Sequence, residues 1–233
     1  MRLVAWNCNR AAHKKLGALL RLRPDVVVLS ECASPRVKAA EPVFAPASSH
    51  LWTGAVETQG LAVLAFGGWS LRPLPQGGRG SPAIPLQVEG PASFQLLALW
   101  TQAPGYVEQA HAALDGHSDL FESGPTVVAG DLNSNAIWDR QHAPRNHTAL
   151  TQRLDDHGLF SAYHAHREES QGVESDPTFF SHRHVHRPFH LDYVFLPSAW
   201  RHLVRRRCRQ ACGLAWVERP HAGGGGRRSW RGA

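Results

Sequence analysis

Short apolar runs constrain this chain more than any other feature. DVVVLSE (25–31) is nearly continuous, and GLAVLAF (60–66), FQLLALW (94–100) and PTVVAGD (125–131) repeat the pattern. Each is seven residues long, the length of a strand rather than of a helix. A strand loses its apolar–polar alternation only when both of its faces are covered. The runs therefore predict sheets buried between other layers.

Other segments fill in those layers. RLVAWN (2–7) and HLDYVFL (190–196) read as strands, and WSLRPLP (69–75) and IPLQVEG (84–90) as strands broken by Pro and Gly. AHKKLGALLRL (12–22) sets Leu16, Leu19, Leu20 and Leu22 along one helical face, and Pro24 stops it. YVEQAHAALDGH (106–117) and HTALTQRLDDHGL (147–159) read as further helices, the second closed by Gly158. Two βα units are followed by hairpin-like strands, and the order then recurs. This predicts an α/β fold, a four-layer α/β sandwich with two mixed β-sheets face to face and helices outside. One domain is expected over 1–197, with 198–233 as a C-terminal segment. GGRGSP (77–82) reads as a loop tip and the polar, His-rich stretch 172–188 as an exposed loop.

At 233 residues the chain is long enough to bury a sizeable core. No run reaches the length of a membrane span, and MRLVAWNCN lacks the apolar core of a signal peptide. A cytoplasmic monomer with no membrane partner is expected. Four cysteines are too few for a disulfide framework, and Cys8 and Cys32 are read as reduced space-fillers. The net charge of +6 is compatible with a phosphate-bearing partner, although much of the excess lies in RHLVRRRCR (201–209) and GRRSWR (226–231). The His-rich SHRHVHRPFH (181–190) is read as a solvated basic loop with one functional histidine rather than as a metal-buffering tract.

The polar residues at strand ends carry the chemistry. Asn7 closes the first strand and Glu31 the second; Asp131 and Asn133 close the GDLN strand; His190 and Asp192 lie at or within the last. A strand end delivers a side chain to a fixed place because the ladder pins its backbone. Each residue alone has an ordinary reading. Asn7 would be a turn residue, Glu31 a cap, Gly-Asp-x-Asn an Asx turn, and Asp192 half of an ion pair. Together, acids at the edges of buried runs need a partner to offset desolvation. Hard oxygen donors suit magnesium, which keeps its waters and bridges to phosphate.

WNCN near the start, VLSEC about two dozen residues later, AGDLNSN past mid-chain and HLDYVFL near the end resemble the endonuclease/exonuclease/phosphatase superfamily, the DNase I-like and exonuclease III-like hydrolases. The resemblance covers residues 1–197. It implies hydrolysis of phosphoester bonds with Mg2+ or Mn2+. Glu31 would be the principal metal ligand with Asn7 beside it. Asp131 would orient or deprotonate the attacking water, Asn133 would hold a phosphate oxygen, and Asp192 would orient a histidine from a final Ser-Asp-His motif. His190, two residues before Asp192, would share its face and help bind phosphate. A carboxylate base ionised at neutral pH would need position rather than a large pKa shift. A nuclease acting on DNA or RNA is the leading reading. The alternatives are a small-molecule phosphatase or phosphodiesterase and a catalytically impaired nucleic-acid-binding module. Arg36, Lys38, Arg72 and Arg79 are available to grip nucleic acid but are scattered.

The chain departs from the family pattern twice. Trp100 stands where a Tyr or His that contacts phosphate is common, and an indole donates but accepts no proton. No Ser-Asp-His is present; the chain ends VERPHAGGGGRRSWRGA. ERPHAGGGG can be written GAG CGA CCA CAC GCC GGT GGT GGT GGN. Read one base later, that string is AGC GAC CAC ACG CCG GTG GTG GTG, which encodes Ser-Asp-His-Thr-Pro-Val-Val-Val. The C-terminal segment is therefore expected to be frame-shifted from a point between residues 198 and 218, and disordered as written. His221, before four glycines, is a poor substitute for the missing histidine. Cys208 and Cys212 fall in the same stretch.

Overall fold

The computed structural model describes residues 1–75, 83–181, 184 and 186–204. The GGRGSP tip and the tail from residue 205 lie outside the described residues, and with the tail go Cys208, Cys212, His221 and most of the frame-shift expectation.

The first half of the chain builds one sheet. β1 (Leu3–Asn7) runs through α1 (Ala12–Arg21) into β2 (Val26–Cys32), and a single-turn α2 (Glu41–Phe44) leads to the hairpin β3 (Ser49–Val56) and β4 (Gln59–Ala65). The strand order is β1-β2-β4-β3, with β1 and β2 parallel and the other neighbours antiparallel. The second half begins with β5 (Ser70–Pro73), β6 (Ala83–Glu89) and β7 (Phe94–Trp100). It continues through α3 (Tyr106–Gly116), α4 (Asp119–Glu122), β8 (Thr126–Asp131), α5 (His147–Asp156), β9 (Leu159–Ser161) and α6 (Ala162–Arg167). A small antiparallel ribbon, β10 (Phe179–Phe180) and β11 (Pro188–Phe189), precedes β12 (Asp192–Pro197). The second sheet has the order β5-β6-β7-β8-β12-β9.

Burial explains the missing alternation. Val26 and Val28 face the core between the sheets, where they meet Leu86, Leu96, Ala98, Val127 and Val194 from the other sheet. Val27 and Leu29, from the same strand, face outward and are covered by Leu19, Val43 and Phe44. The second sheet repeats the device, with Leu97, Leu99, Val128 and Phe195 covered by Ala110, Leu114, Leu150 and Leu154 of α3 and α5. The result is helix, sheet, sheet, helix, the expected four-layer sandwich.

The structure corrects several boundaries. The helix read over 147–159 ends at Asp156; Gly158, at φ +73°, turns the chain into β9, an edge strand of the second sheet. β3 was not anticipated, because an edge strand exposed over much of its length carries no apolar run. The stretch 172–188 is more than an exposed loop: it holds the β10–β11 ribbon and a carboxylate, Glu174, whose side chain is only 5% exposed. Past β12 the chain continues to pack. Trp200 lies in the inter-sheet core, edge-on to Phe94 at 5.6 Å, and Arg201 sits 4.2 Å over the Phe160 ring.

Candidate active site

β1 and β2 end side by side in one sheet, and in the other β8 ends where the antiparallel β12 begins. Asp131 and Asp192 are cross-strand partners, 1% and 4% exposed. Asn7 ties the two sheets together. Its Nδ2 donates to Glu31 Oε1 at 3.0 Å and to Asp131 Oδ2 at 2.7 Å, and its backbone N–H donates to Asp192 Oδ1 at 2.9 Å. The Asn7 Oδ1 accepts from the Asn9 N–H at 2.9 Å, which fixes the amide's orientation.

Local backbone geometry aims these groups. Glu31 sits at φ +56° where the β2–β4 register shifts; a bulge re-aims a side chain that a regular strand would place elsewhere. Gly130, at φ +144°, brings its backbone so close to β7 that a Cβ there would lie 1.8 Å from the Leu99 carbonyl oxygen. The Gly of Gly-Asp-x-Asn is thus dictated by the approach of two parallel strands. Asn133, at φ +45°, closes an Asx-type turn. Its backbone N–H donates to Asp131 Oδ1 at 2.9 Å, and its Nδ2 donates to Asp131 Oδ2 at 3.0 Å and to the Thr101 carbonyl at 2.9 Å. Both amide hydrogens are engaged, so a phosphate oxygen would have to displace one of them.

Burial dominates the electrostatics. It pushes the Asp131 carboxyl well above the usual range; the Asp192 charge adds to the push, and the Asn7 and Asn133 donors oppose it. Burial pushes Asp192 up to about 6, opposed by the Thr178 hydroxyl and the Asn7 N–H. Burial first, and then the neighbouring carboxylates, work against an ionised Asp131, a shift that the expectation from position alone did not include. That crowding fits a hard divalent cation. Among the described residues, no group of three or more His, Cys, Asp or Glu side chains closes on one point. A cation here would therefore be held by one or two carboxylates, an amide oxygen and waters, which is magnesium's usual habit. Glu31 and Asn7 are the expected holders; Asn7 turns its Nδ2 toward Glu31 and its Oδ1 toward the Asn9 N–H, so an amide oxygen shared with Glu31 would require the amide to flip.

Three residues stand differently from the sequence reading. Thr178 was missed. Its Oγ accepts from the Leu191 and Asp192 N–H groups at 2.9 and 3.0 Å, and its hydroxyl bonds the Asp192 carboxylate. A Thr within a His-rich loop carries no periodic signal that would single it out. His190 does not join the oxygen cluster. It is 5% exposed, its Nδ1 pairs with the Asp176 carbonyl at 2.8 Å, and its ring packs on Tyr163 at 4.2 Å. Burial lowers its pKa, and a role beside Asp192 is not what this placement supports. Trp100, the register partner of Asp131, lies in the core between the sheets.

A second layer supports the turn after Asp131. Asn135 donates to Glu174 Oε2 at 3.0 Å, the His190 carbonyl at 3.2 Å and the Tyr193 hydroxyl at 3.1 Å, while its Oδ1 accepts from the Ile137 N–H. His164 Nε2 meets Glu174 Oε1 at 3.0 Å. Hydrogen bonds from His164, Asn135 and the Gly172 N–H overcome the cost of burial and hold Glu174 down at about 2.

Solved structures share this arrangement of layers. The 3'-5' exonuclease NExo of Neisseria meningitidis superposes with a TM-score of 0.63 at 18% identity, over 93% of this chain and 98% of that one. Truncated Caenorhabditis elegans TDP2 gives 0.58 at 12%, over 84% and 82%. The endonuclease domain of TRAS1, a telomere-specific non-LTR retrotransposon, gives 0.57 at 16%, over 87% of each. No curated protein matches the chain by sequence. The family model for the Endonuclease/Exonuclease/phosphatase family, whose members hydrolyse phosphoester bonds, spans residues 4–212 and so takes in every strand end described above; the chain belongs to that family.

Proposed function

We propose that the chain is a Mg2+- or Mn2+-dependent phosphoesterase that cleaves phosphodiester bonds in DNA or RNA. The observation that carries this reading is the single amide of Asn7 bridging Glu31 and Asp131 while its N–H holds Asp192. A bound cation would neutralise charge developing on the phosphate. Glu31 and Asn7 would hold it. Asp131, once its neighbours' repulsion is offset, aims and accepts a proton from the attacking water. Asn133 would offer its amide to a phosphate oxygen once one of its two hydrogen bonds, to Asp131 or to the Thr101 carbonyl, gives way.

Two features favour a nucleic acid over a small phosphoester. Phe179 and Phe180, directly after Thr178, are 40% and 41% exposed on the β10–β11 ribbon, and exposed aromatics are stacking surfaces for bases. NExo has also been solved as a 3' phosphatase bound to a product DNA hairpin. Asp192 would orient a histidine from the family's Ser-Asp-His motif. On this proposal, the tail is read out of frame from a point between residues 198 and 218. Sequencing the gene over codons 198 to 233 tests that: an intact frame encoding the tail defeats it.

The activity test uses plasmid, single-stranded DNA, RNA and bis(p-nitrophenyl) phosphate, with Mg2+, Mn2+ or chelator, for the chain as written and with the restored frame. Metal-dependent cleavage lost in Asp131→Asn supports the proposal. Salt-sensitive binding without cleavage by either chain would replace the enzyme with a binding module.

A further inference from the structure

We propose that Cys8 and Cys32 form a peroxide-sensitive oxidation site whose disulfide displaces Asn7 and Glu31. Each thiol directly follows one of these residues in the chain. Asn7 pairs with Ser30 in the parallel β1–β2 register. Cys8 therefore lies beside Glu31, and Cys32 is one residue further. The β2 bulge turns Cys32 to the same outer face as Leu29, and Cys8 faces the same cluster; both thiols are 0% exposed there. Cys8 Sγ donates to the Ser30 carbonyl at 3.2 Å and the Glu31 carbonyl at 3.4 Å. Two thiols on adjacent strands, one residue out of register and packed in one buried cluster, need little backbone movement to reach disulfide geometry.

The surroundings offer access. Asn9 and Arg10, the exposed turn over Cys8, both hold left-handed φ values of 47° and 55°, a conformation strained for residues with a Cβ. Such a turn opens locally at low cost, and a peroxide is small enough to pass.

The chemistry balances with a hydroperoxide as oxidant. One sulfur attacks a peroxide oxygen; an S–O bond forms, the O–O bond breaks, and with hydrogen peroxide one water leaves. The second thiol attacks that sulfenic sulfur; the S–S bond forms, the S–O bond breaks, and its proton leaves with the hydroxyl as a second water. Two thiols lose two electrons and the peroxide gains them. Bonding draws the sulfurs to about 2.05 Å. Cys8 then gives up its hold on the Ser30 and Glu31 carbonyls, and the bulge that aims Glu31 shifts.

The consequence for activity rests on the proposed phosphoesterase; the cross-link itself does not. The test uses the chain with the restored frame, and the chain as written with Cys208→Ser and Cys212→Ser, each treated with hydrogen peroxide and then with dithiothreitol. Peptide mass spectrometry reads an 8–32 cross-link, electron paramagnetic resonance reads Mn2+ binding, and bis(p-nitrophenyl) phosphate reads cleavage. Expected are the cross-link, loss of Mn2+ binding, cleavage down about 100-fold, full recovery on reduction, and resistance of Cys32→Ser and Cys32→Ala to peroxide. Absence of the cross-link in the folded protein overturns the proposal. So does a cross-link that leaves Mn2+ bound, or a Cys32 variant as sensitive as its parent. A reduced protein with no cleavage counts against the proposed function, while the cross-link and Mn2+ readouts still decide the oxidation site.

Discussion

Asn7 uses both amide hydrogens, its amide oxygen and its backbone N–H on the site or on its own turn. Asn7→Ala should therefore remove the bridge and leave the buried Asp131 oxygen short of a donor, lowering metal-dependent cleavage by on the order of 100-fold or more. Asp131→Asn separates chemistry from stability. Loss of the water-aiming carboxylate should lower kcat about 1,000-fold. Removing one of two crowded buried acids should leave the thermal midpoint in chelator unchanged or higher than wild type; a large drop would mean that the carboxylate holds the fold together. Gly130→Ala tests the backbone. With a Cβ 1.8 Å from the Leu99 carbonyl, denaturant unfolding should show a loss of about 3 kcal/mol or the chain should fail to fold.

The elements were legible where burial is two-sided. β2, β4, β7 and β8 announce themselves because nearly every residue is apolar when a core lies on each face, and the acids near the ends of β2 and β8 are conspicuous for the same reason. β3 and β9 were lost because edge strands need no such run. Glu174 and Thr178 were unreadable because their role depends on a fold-back of the 168–178 segment onto β12 that no local pattern records. His190 was misjudged by spacing: two residues from Asp192 means a shared face only inside a strand, and β12 begins at Asp192. Capping was the other quiet signal. Asn146 Oδ1 accepts the Ala149 N–H at 2.9 Å at the start of α5. Asn146→Ala should cost about 1 kcal/mol in denaturant unfolding, with cleavage unaffected, because α5 packs on the outer face of its sheet.

Across the whole molecule, buried histidines set an acid limit. Desolvation holds His147 down at about 4, only partly offset by Gln171. It lowers His111, His117 and His190 as well. Between the ordinary value of 6.5 and about 4, the unfolded chain protonates His147 while the folded one does not, so stability falls as pH falls through that window. The size is on the order of 3 kcal/mol. Asp192 runs the other way, since its raised pKa makes the folded state take up a proton first and favours folding at low pH. The His147 contribution is therefore read as a difference. Compared with His147→Gln, the wild type should lose about 3 kcal/mol more between pH 6.5 and 4 in chemical denaturation, and parallel curves would refute the assignment.

Because one side chain on the first strand touches acids carried by both sheets, the reactive centre exists only while the two layers are docked. Turnover would then double as a gauge of tertiary assembly: an expanded, loosely packed state could keep every helix and strand and yet be silent.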